Sequence, residues 1–374
     1  MQSHRLPTLE DVARVAGVSR ATVSRVINGI RNVDPQLHQQ VWSAVDVTGY
    51  VPNRLARSLV TRRTGTVALV VSDSESHDDD PVSDFQPDIG PEVAGPLSGA
   101  GERGPRHVEK GSFMSRFFSD PYFGRVVGGL MSVLRPAGVQ LALQMVGADG
   151  HKRLVGDLRN GQADGAVVLS LPARDALPGM LAEAGIPAVL IGRPAEPVPI
   201  SYVDLDNSAG AELAAARLAG RGCRRPAMIT GPAEVPASAD RISGFRRAMA
   251  RHGHARVPSA AGNFTQESGA AAMRTLLAAH PETDGVFVAN DLMALGALLV
   301  LRDAGRRVPD DVAVVGFDDS SAALAARPAL TTVRHPLEDM SAEASRLLLT
   351  SIDDPSPRIT SVIYEPTLVP RHSA

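Results

Sequence analysis

The chain predicts an α/β protein: an N-terminal all-α helix-turn-helix headpiece, then a two-lobed core of doubly wound parallel sheets. Three observations carry that prediction. Short helical segments around a glycine turn fill residues 8–64. Positive charge is concentrated at that end, with nine arginines against four acids in residues 1–63, while the whole chain carries −3. From residue 66 onward, short β-rich apolar runs alternate with amphipathic stretches, the pattern of parallel sheets covered by helices on both faces.

The headpiece elements follow from local chemistry. Thr8 can cap a helix, with Glu10 and Asp11 in the first turn, where acids suit the helix dipole. Leu9, Val12, Ala13 and Ala16 recur at helical spacing. Gly17 can adopt the left-handed conformation that ends a helix. Ser19 caps the next helix, whose expected buried stripe is Thr22, Val23, Val26 and Ile27, and Gly29 stops it. Asp34-Pro35 reads as a cap followed by proline at the first helical position. Val41, Ala44 and Val45 give the third helix its inner face. A second helix this short, presented by a tight turn, suits entry into a major groove by its N-terminal end. The net +5 of residues 1–63 suits phosphate neutralisation. A solvated basic adaptor surface would account for the charge, but not for turn, caps and charge together.

The core reads as TVALVVS, VQLALQMV, GAVVLS, PAVLIG, PAMITG, GVFVAN and VAVVGF strands, with helical segments such as 124–135, 208–219, 239–251, 266–279 and 291–304 between them. Such sheets bind ligands beyond the carboxyl ends of their strands. At 374 residues the chain exceeds one ordinary domain. The single Cys223 excludes an internal disulfide and argues against a cysteine-built metal site. No run of 18 or more apolar residues appears and the N-terminus has no signal-peptide core, so a cytoplasmic protein without membrane association is expected. Residues 73–112 form an acidic insert rich in Pro and Gly, with ten acids against Arg103, Arg106 and Lys110, and are expected to be disordered. An acidic lid or a DNA mimic competing for the headpiece is the sharper reading of this insert. Its Gly99, Gly101 and Gly104 mimic a dinucleotide fingerprint but follow no strand and sit among acids. His252 and His254 pair without a third metal ligand nearby. No H-E-x-x-H, G-x-S-x-G or P-loop occurs, so no enzyme, metal or cofactor is expected.

TLEDVARVAGVS, TVSRVIN and GYVPNRLARSL, with their spacing kept, resemble the DNA-binding headpiece of the LacI/GalR family of bacterial repressors. The resemblance continues at lower density through SDPYF, VLIGRP, DRISGF, VANDLMALGAL, VAVVGFDD and PALTTV. It implies a headpiece over 1–63 with a hinge helix at 53–60, and a periplasmic-binding-protein-like effector-binding and dimerisation core over 64–374. The N-lobe would span about 64–221 and 335–358, the C-lobe about 222–334 and 359–374. The crossings would fall near Arg221, Arg334 and Arg358.

The resemblance also implies roles. Arg20 and Ala21, with Arg25 one turn on, would meet base edges: arginine can pair with guanine, and alanine can touch a thymine methyl. Thr22, Ser24 and Asn28 would contact phosphates, and Thr8, Ser19 and Tyr50 belong to the same interface. In the hinge, Asn53 would cap, Arg54 and Arg57 would supply charge, and Leu59, with Ala56 on the same face, would wedge into the minor groove. For the effector, the matching positions are Tyr122, Phe123, Arg193, Asp240, Arg241, Phe264, Asn290 and Asp318. Carboxylates, amides and a guanidinium satisfy sugar hydroxyls while an aromatic covers the ring face. Where purine-binding members carry an arginine and a threonine, this chain has Val235 and Ala237, which favours a small carbohydrate. The expectation is a dimeric, sugar-controlled repressor on a pseudo-palindromic double-stranded DNA operator. The alternatives are a regulator responding to a nucleoside or phosphorylated metabolite, and a solute-binding protein.

Overall fold

The computed structural model describes residues 7–28, 33–51, 63–73, 120–169, 172–354, 356 and 358–374. The expected stop at Gly29, hinge residues 53–60 and insert positions 74–112 lie outside the described residues.

Three helices form the headpiece: α1 (Leu9–Ala16), α2 (Arg20–Ile27) and α3 (Pro35–Thr48). Their boundaries follow the side-chain chemistry. Thr8 and Asp11 form a reciprocal capping box, Ser19 and Asp34 cap the next two helices, and Gly17 ends α1 at φ 65°. Val12, Ala13, Ala16, Val23, Val26, Ile27, Val41, Ala44 and Val45 close a small core. Thr22 departs from its expected place in that core. It is only half-buried, because its hydroxyl lies 2.9 Å from Ser19 Oγ in the cap.

The core holds two six-stranded sheets. Its first lobe opens with β1 (Thr66–Asp73), α4 (Pro121–Leu134), β2 (Gln140–Gly147), α5 (His151–Arg159), β3 (Gly165–Leu169), α6 (Leu177–Glu183), β4 (Ala188–Ile191) and β5 (Ser201–Leu205). The second lobe contains α7 (Asn207–Gly220), β6 (Pro226–Thr230), α8 (Pro236–Arg251), β7 (Ser259–Ala261), α9 (Gln266–Ala279), β8 (Gly285–Val288), α10 (Asp291–Asp303), β9 (Ala313–Asp318), α11 (Ser321–Ala325) and β10 (Thr331–Arg334). The chain then returns to the first lobe for α12 (Leu337–Asp353) and β11 (Ser361–Tyr364), and ends with β12 (Thr367–Val369) in the second. The strand orders are β11-β5-β4-β3-β1-β2 and β12-β10-β9-β8-β6-β7. All pairings are parallel except β10–β12. The order reverses beside β1 and β6, which opens a crevice at the carboxyl end of each sheet.

Two crossings sit elsewhere than the sequence suggested. The first lies at Asp206, not near Arg221, because α7 packs on β8, β9, β10 and β12 of the second sheet. The third lies between β11 and β12, not near Arg358, because β11 pairs with β5 in the first sheet. The second crossing is the passage from β10 to α12. Helices cover both faces of each sheet, and one buried cluster runs from Val67 and Leu130 in the first lobe to Phe287 and Phe317 in the second. Phe245 stacks on Phe287 with ring centroids 4.8 Å apart.

Candidate functional site

The exposed side of α2 is the candidate nucleic-acid interface. Arg20, Ala21 and Arg25 are all exposed there. Arg20 Nε lies 3.1 Å from Glu10 Oε1, a solvent-facing pair that a base or phosphate can displace at low cost. Thr8 and Ser19 are committed to caps: Ser19 Oγ accepts from Thr22 N at 3.1 Å, and Thr8 Oγ1 donates to Asp11 Oδ2 at 2.8 Å. Asn28 Nδ2 donates to Ser24 Oγ at 3.2 Å, holding both polar groups at the C-terminal end of the helix. Tyr50 is half-buried against the headpiece core. Asn53, Arg54, Ala56, Arg57 and Leu59 lie outside the described residues.

The second candidate site is the cleft between the lobes, and three of the eight effector residues, Arg241, Asp318 and Tyr122, meet there around one guanidinium. Arg241, on α8, is buried. Its Nε donates to Asn207 Oδ1 at 2.9 Å and its Nη1 to the Ala289 carbonyl at 2.5 Å. Its Nη2 lies 3.8 Å from Asp318 Oδ1, and its Cζ sits 3.6 Å above the Phe317 ring centre. Burial pulls the Arg241 pKa down, and the Asp318 charge opposes that pull. Tyr122 reaches this cluster from the first lobe. Burial first, and then the Asp318 charge, pushes its phenol up, so it stays a neutral donor. Asp318 ends β9 at φ 109°, a left-handed geometry that costs about 1–3 kcal/mol for a non-glycine residue and is typical of ligand clamps. Phe264 also takes a left-handed φ, of 69°. Asn290 holds Phe264 in place: its Nδ2 donates to the Phe264 carbonyl at 3.0 Å, and its Oδ1 caps α10.

Other expected residues are arranged differently. Phe123 packs against the large core cluster. Arg193 and Asp240 bind each other across the cleft, with Nη2 2.6 Å from both carboxylate oxygens.

Several residues missed by the sequence reading complete the cleft. Asn207 orients Arg241. His335, at the second crossing, lies 3.5 Å from Asp318 Oδ1 and edge-on to Tyr122, with centroids 5.9 Å apart. Burial holds its imidazole low, against the pull of Asp318, and favours the neutral ring. Asp291 is fully buried and accepts from Ser320 N at 2.7 Å and Thr332 Oγ1 at 2.6 Å; burial raises its pKa strongly, with the Asp318 charge adding to the rise. Arg125 on α4 donates to the Asp318 and His335 carbonyls at 2.9 and 2.8 Å while pairing with Glu338. The only available signal was position: Asn207 and His335 follow strands directly at crossings. Ser72, His151 and Asp175 form a buried triangle at the end of β1. Ser72 donates directly to Asp175, while His151 Nε2 stays 3.4 Å away from Ser72 Oγ, so the imidazole does not relay between serine and acid as a nucleophile would need.

Asp120 and Asp204 carry a testable charge effect. Burial pushes both carboxyls up to about 6 from 3.8. In the window between those values the folded chain binds more protons than the unfolded one, so this contribution to stability falls as pH rises from about 4 to about 6. Replacing both residues with asparagine should raise stability by about 1–2 kcal/mol at neutral pH and change little below about pH 4. Thermal denaturation across pH checks this, and a pH-independent difference would count against the burial cause.

Comparisons with known proteins agree with this architecture. The lacI family of bacterial regulatory proteins matches residues 8–53, and the periplasmic binding protein-like domain matches residues 215–374. The HTH-type transcriptional regulator CelR of Thermobifida fusca is 42% identical over 380 residues, covering 100% of both chains. A solved complex of a transcriptional regulator CelR with cellobiose is 40% identical, with a TM-score of 0.69 over 98% of this chain and 100% of that one. The lac repressor dimer bound to operator and an anti-inducer shares the fold, with a TM-score of 0.77 at 22% identity over 99% of each chain. Among the described residues, no helix is long and apolar enough to cross a membrane. Identity sustained from the headpiece through both lobes makes this chain a member of the lacI family of bacterial regulatory proteins, a sequence-specific DNA-binding transcriptional regulator.

Proposed function

We propose that this regulator is a repressor whose effector is a small neutral carbohydrate held between the lobes. Cellobiose, the ligand of the similar CelR complex, is the first candidate. The observation that carries the reading is the cluster of Arg241, Asp318 and Tyr122, which supplies a cation, a carboxylate and a neutral phenol from both lobes to one point. Phe264 offers the apolar surface for a ring. Asp120, Asp204 and Asp318 outnumber Arg241 around this point, and Arg193 is engaged by Asp240, which disfavours a phosphorylated effector.

In this reading two copies bind a pseudo-palindromic operator in the cytoplasm. Residues 1–63 touch DNA, 53–60 act as the hinge, and the lobes pair through their core faces. The sugar favours one lobe arrangement, and operator and sugar affinities must change each other by the same factor. A thermal-shift screen of the full chain with cellobiose, glucose 6-phosphate and nucleosides tests the effector. Stabilisation by nucleosides alone would overturn the carbohydrate assignment.

For the operator, Arg20→Ala should cost about 1–3 kcal/mol on the selected site and little on random duplex. Fluorescence anisotropy on both DNAs measures it. Equal losses would assign Arg20 to phosphate.

A further inference from the structure

Side-chain and backbone contacts tie the lobes together in addition to the chain crossings. At the crossing margin Arg125 of the first lobe holds the carbonyls of Asp318 and His335. The chain itself already joins the lobes there. Two further contacts join the lobes, one of them beside the β5 crossing. Ala173 N donates to the Glu234 carbonyl at 2.9 Å. Arg193, just after β4, and Asp240, on α8, form a forked ion pair with Nε 3.1 Å and Nη2 2.6 Å from the carboxylate oxygens. Asp204 backs Arg193 from the first lobe at 3.8 Å. The two side chains are 39% and 23% exposed, so the pair is partly dry and its planar geometry is favourable.

We propose that Arg193 and Asp240 are positioning residues forming an effector-independent clasp, which holds the lobes closed and sets the resting sensitivity of the regulator. Their charges satisfy each other, which leaves sugar recognition to the Arg241 cluster. The proposal rests on the two-lobed cleft being the effector site, but not on which molecule fills it. A partly exposed forked pair of this kind shifts a two-state equilibrium by about threefold to tenfold. That is enough to move the response threshold without fixing the state.

The test uses the full chain in a Cys223→Ser background, with spin labels at Arg174→Cys and Ala233→Cys on the two rims of the mouth. Distances are read by pulsed electron paramagnetic resonance without sugar. Arg193→Gln and Asp240→Asn should each lengthen the distance distribution and shift sugar-free operator affinity by about threefold to tenfold. The double variant should be no worse than either single, because one interaction is lost only once. Unchanged distances in both singles would overturn the clasp, as would additive losses in the double variant. Circular dichroism confirms that the singles fold. Cellobiose binding is measured separately in the unsubstituted chain. Its absence would remove cellobiose as the effector while leaving the clasp result intact.

Discussion

Arg241→Leu is expected to abolish sugar binding and to destabilise the second lobe together. The guanidinium is buried, donates to Asn207 and to the Ala289 carbonyl, faces Asp318 and lies on the Phe317 ring. Leucine fills part of the volume but leaves an amide oxygen and a carbonyl without their donor and a carboxylate without its counter-charge. Removing one partner of a buried charged cluster costs about 3–5 kcal/mol, most of it from the groups left behind. Arg241→Lys keeps the charge but loses the planar fork, so it should retain more stability than leucine while still losing sugar affinity by about 100-fold. Denaturant unfolding separates the first effect and calorimetric titration with cellobiose the second. A folded lysine variant with unaltered cellobiose affinity would remove Arg241 from the effector site.

The next largest effect concerns the approach of α9 to α10. A Cβ on Gly296 would overlap the Gln266 carbonyl oxygen and lie 2.7 Å from Ala270 N, and one on Gly269 would overlap the Met293 carbonyl. These neighbours are backbone and cannot rotate away. Alanine normally gains about 1 kcal/mol over glycine inside a helix. At Gly296 that gain should be reversed, because prising two packed helices apart costs about 1–3 kcal/mol or more. Gly296→Val should therefore lose at least about 3 kcal/mol, since it adds both bulk and β-branching. Gly156 on α5 has open space around its Cβ position, so Gly156→Ala should stabilise by about 0.5–1 kcal/mol. Opposite signs at the two glycines, measured by denaturant unfolding, would confirm close approach as the cause. A stabilising Gly296→Ala would refute it.

Much of this architecture was legible along the chain because it is local. Caps such as Thr8, Ser19 and Asp34, and the left-handed Gly17, act within four residues of themselves. Buried strands such as β3 (Gly165–Leu169) announce themselves as unbroken apolar runs. The missed strands β5, β7, β10, β11 and β12 are three to five residues long and none is buried throughout, so none shows an unbroken apolar run. The misplaced crossings have a related cause. Nothing in the helical pattern of Asn207–Gly220 says which sheet it covers, and that is decided by apolar neighbours distant in sequence.

The amino-acid order alone determined the capped headpiece helices, the concentration of arginine beside them and the α/β class of the core, because each depends on short-range geometry or on charge that sums along the chain. Tertiary structure alone decided which polar groups share the cleft. Arg241 and Asn207 lie on different helices, and Arg193 and Asp240 on different lobes. Whether a charged side chain waits for a ligand or is already satisfied depends on partners that only folding brings within hydrogen-bonding distance.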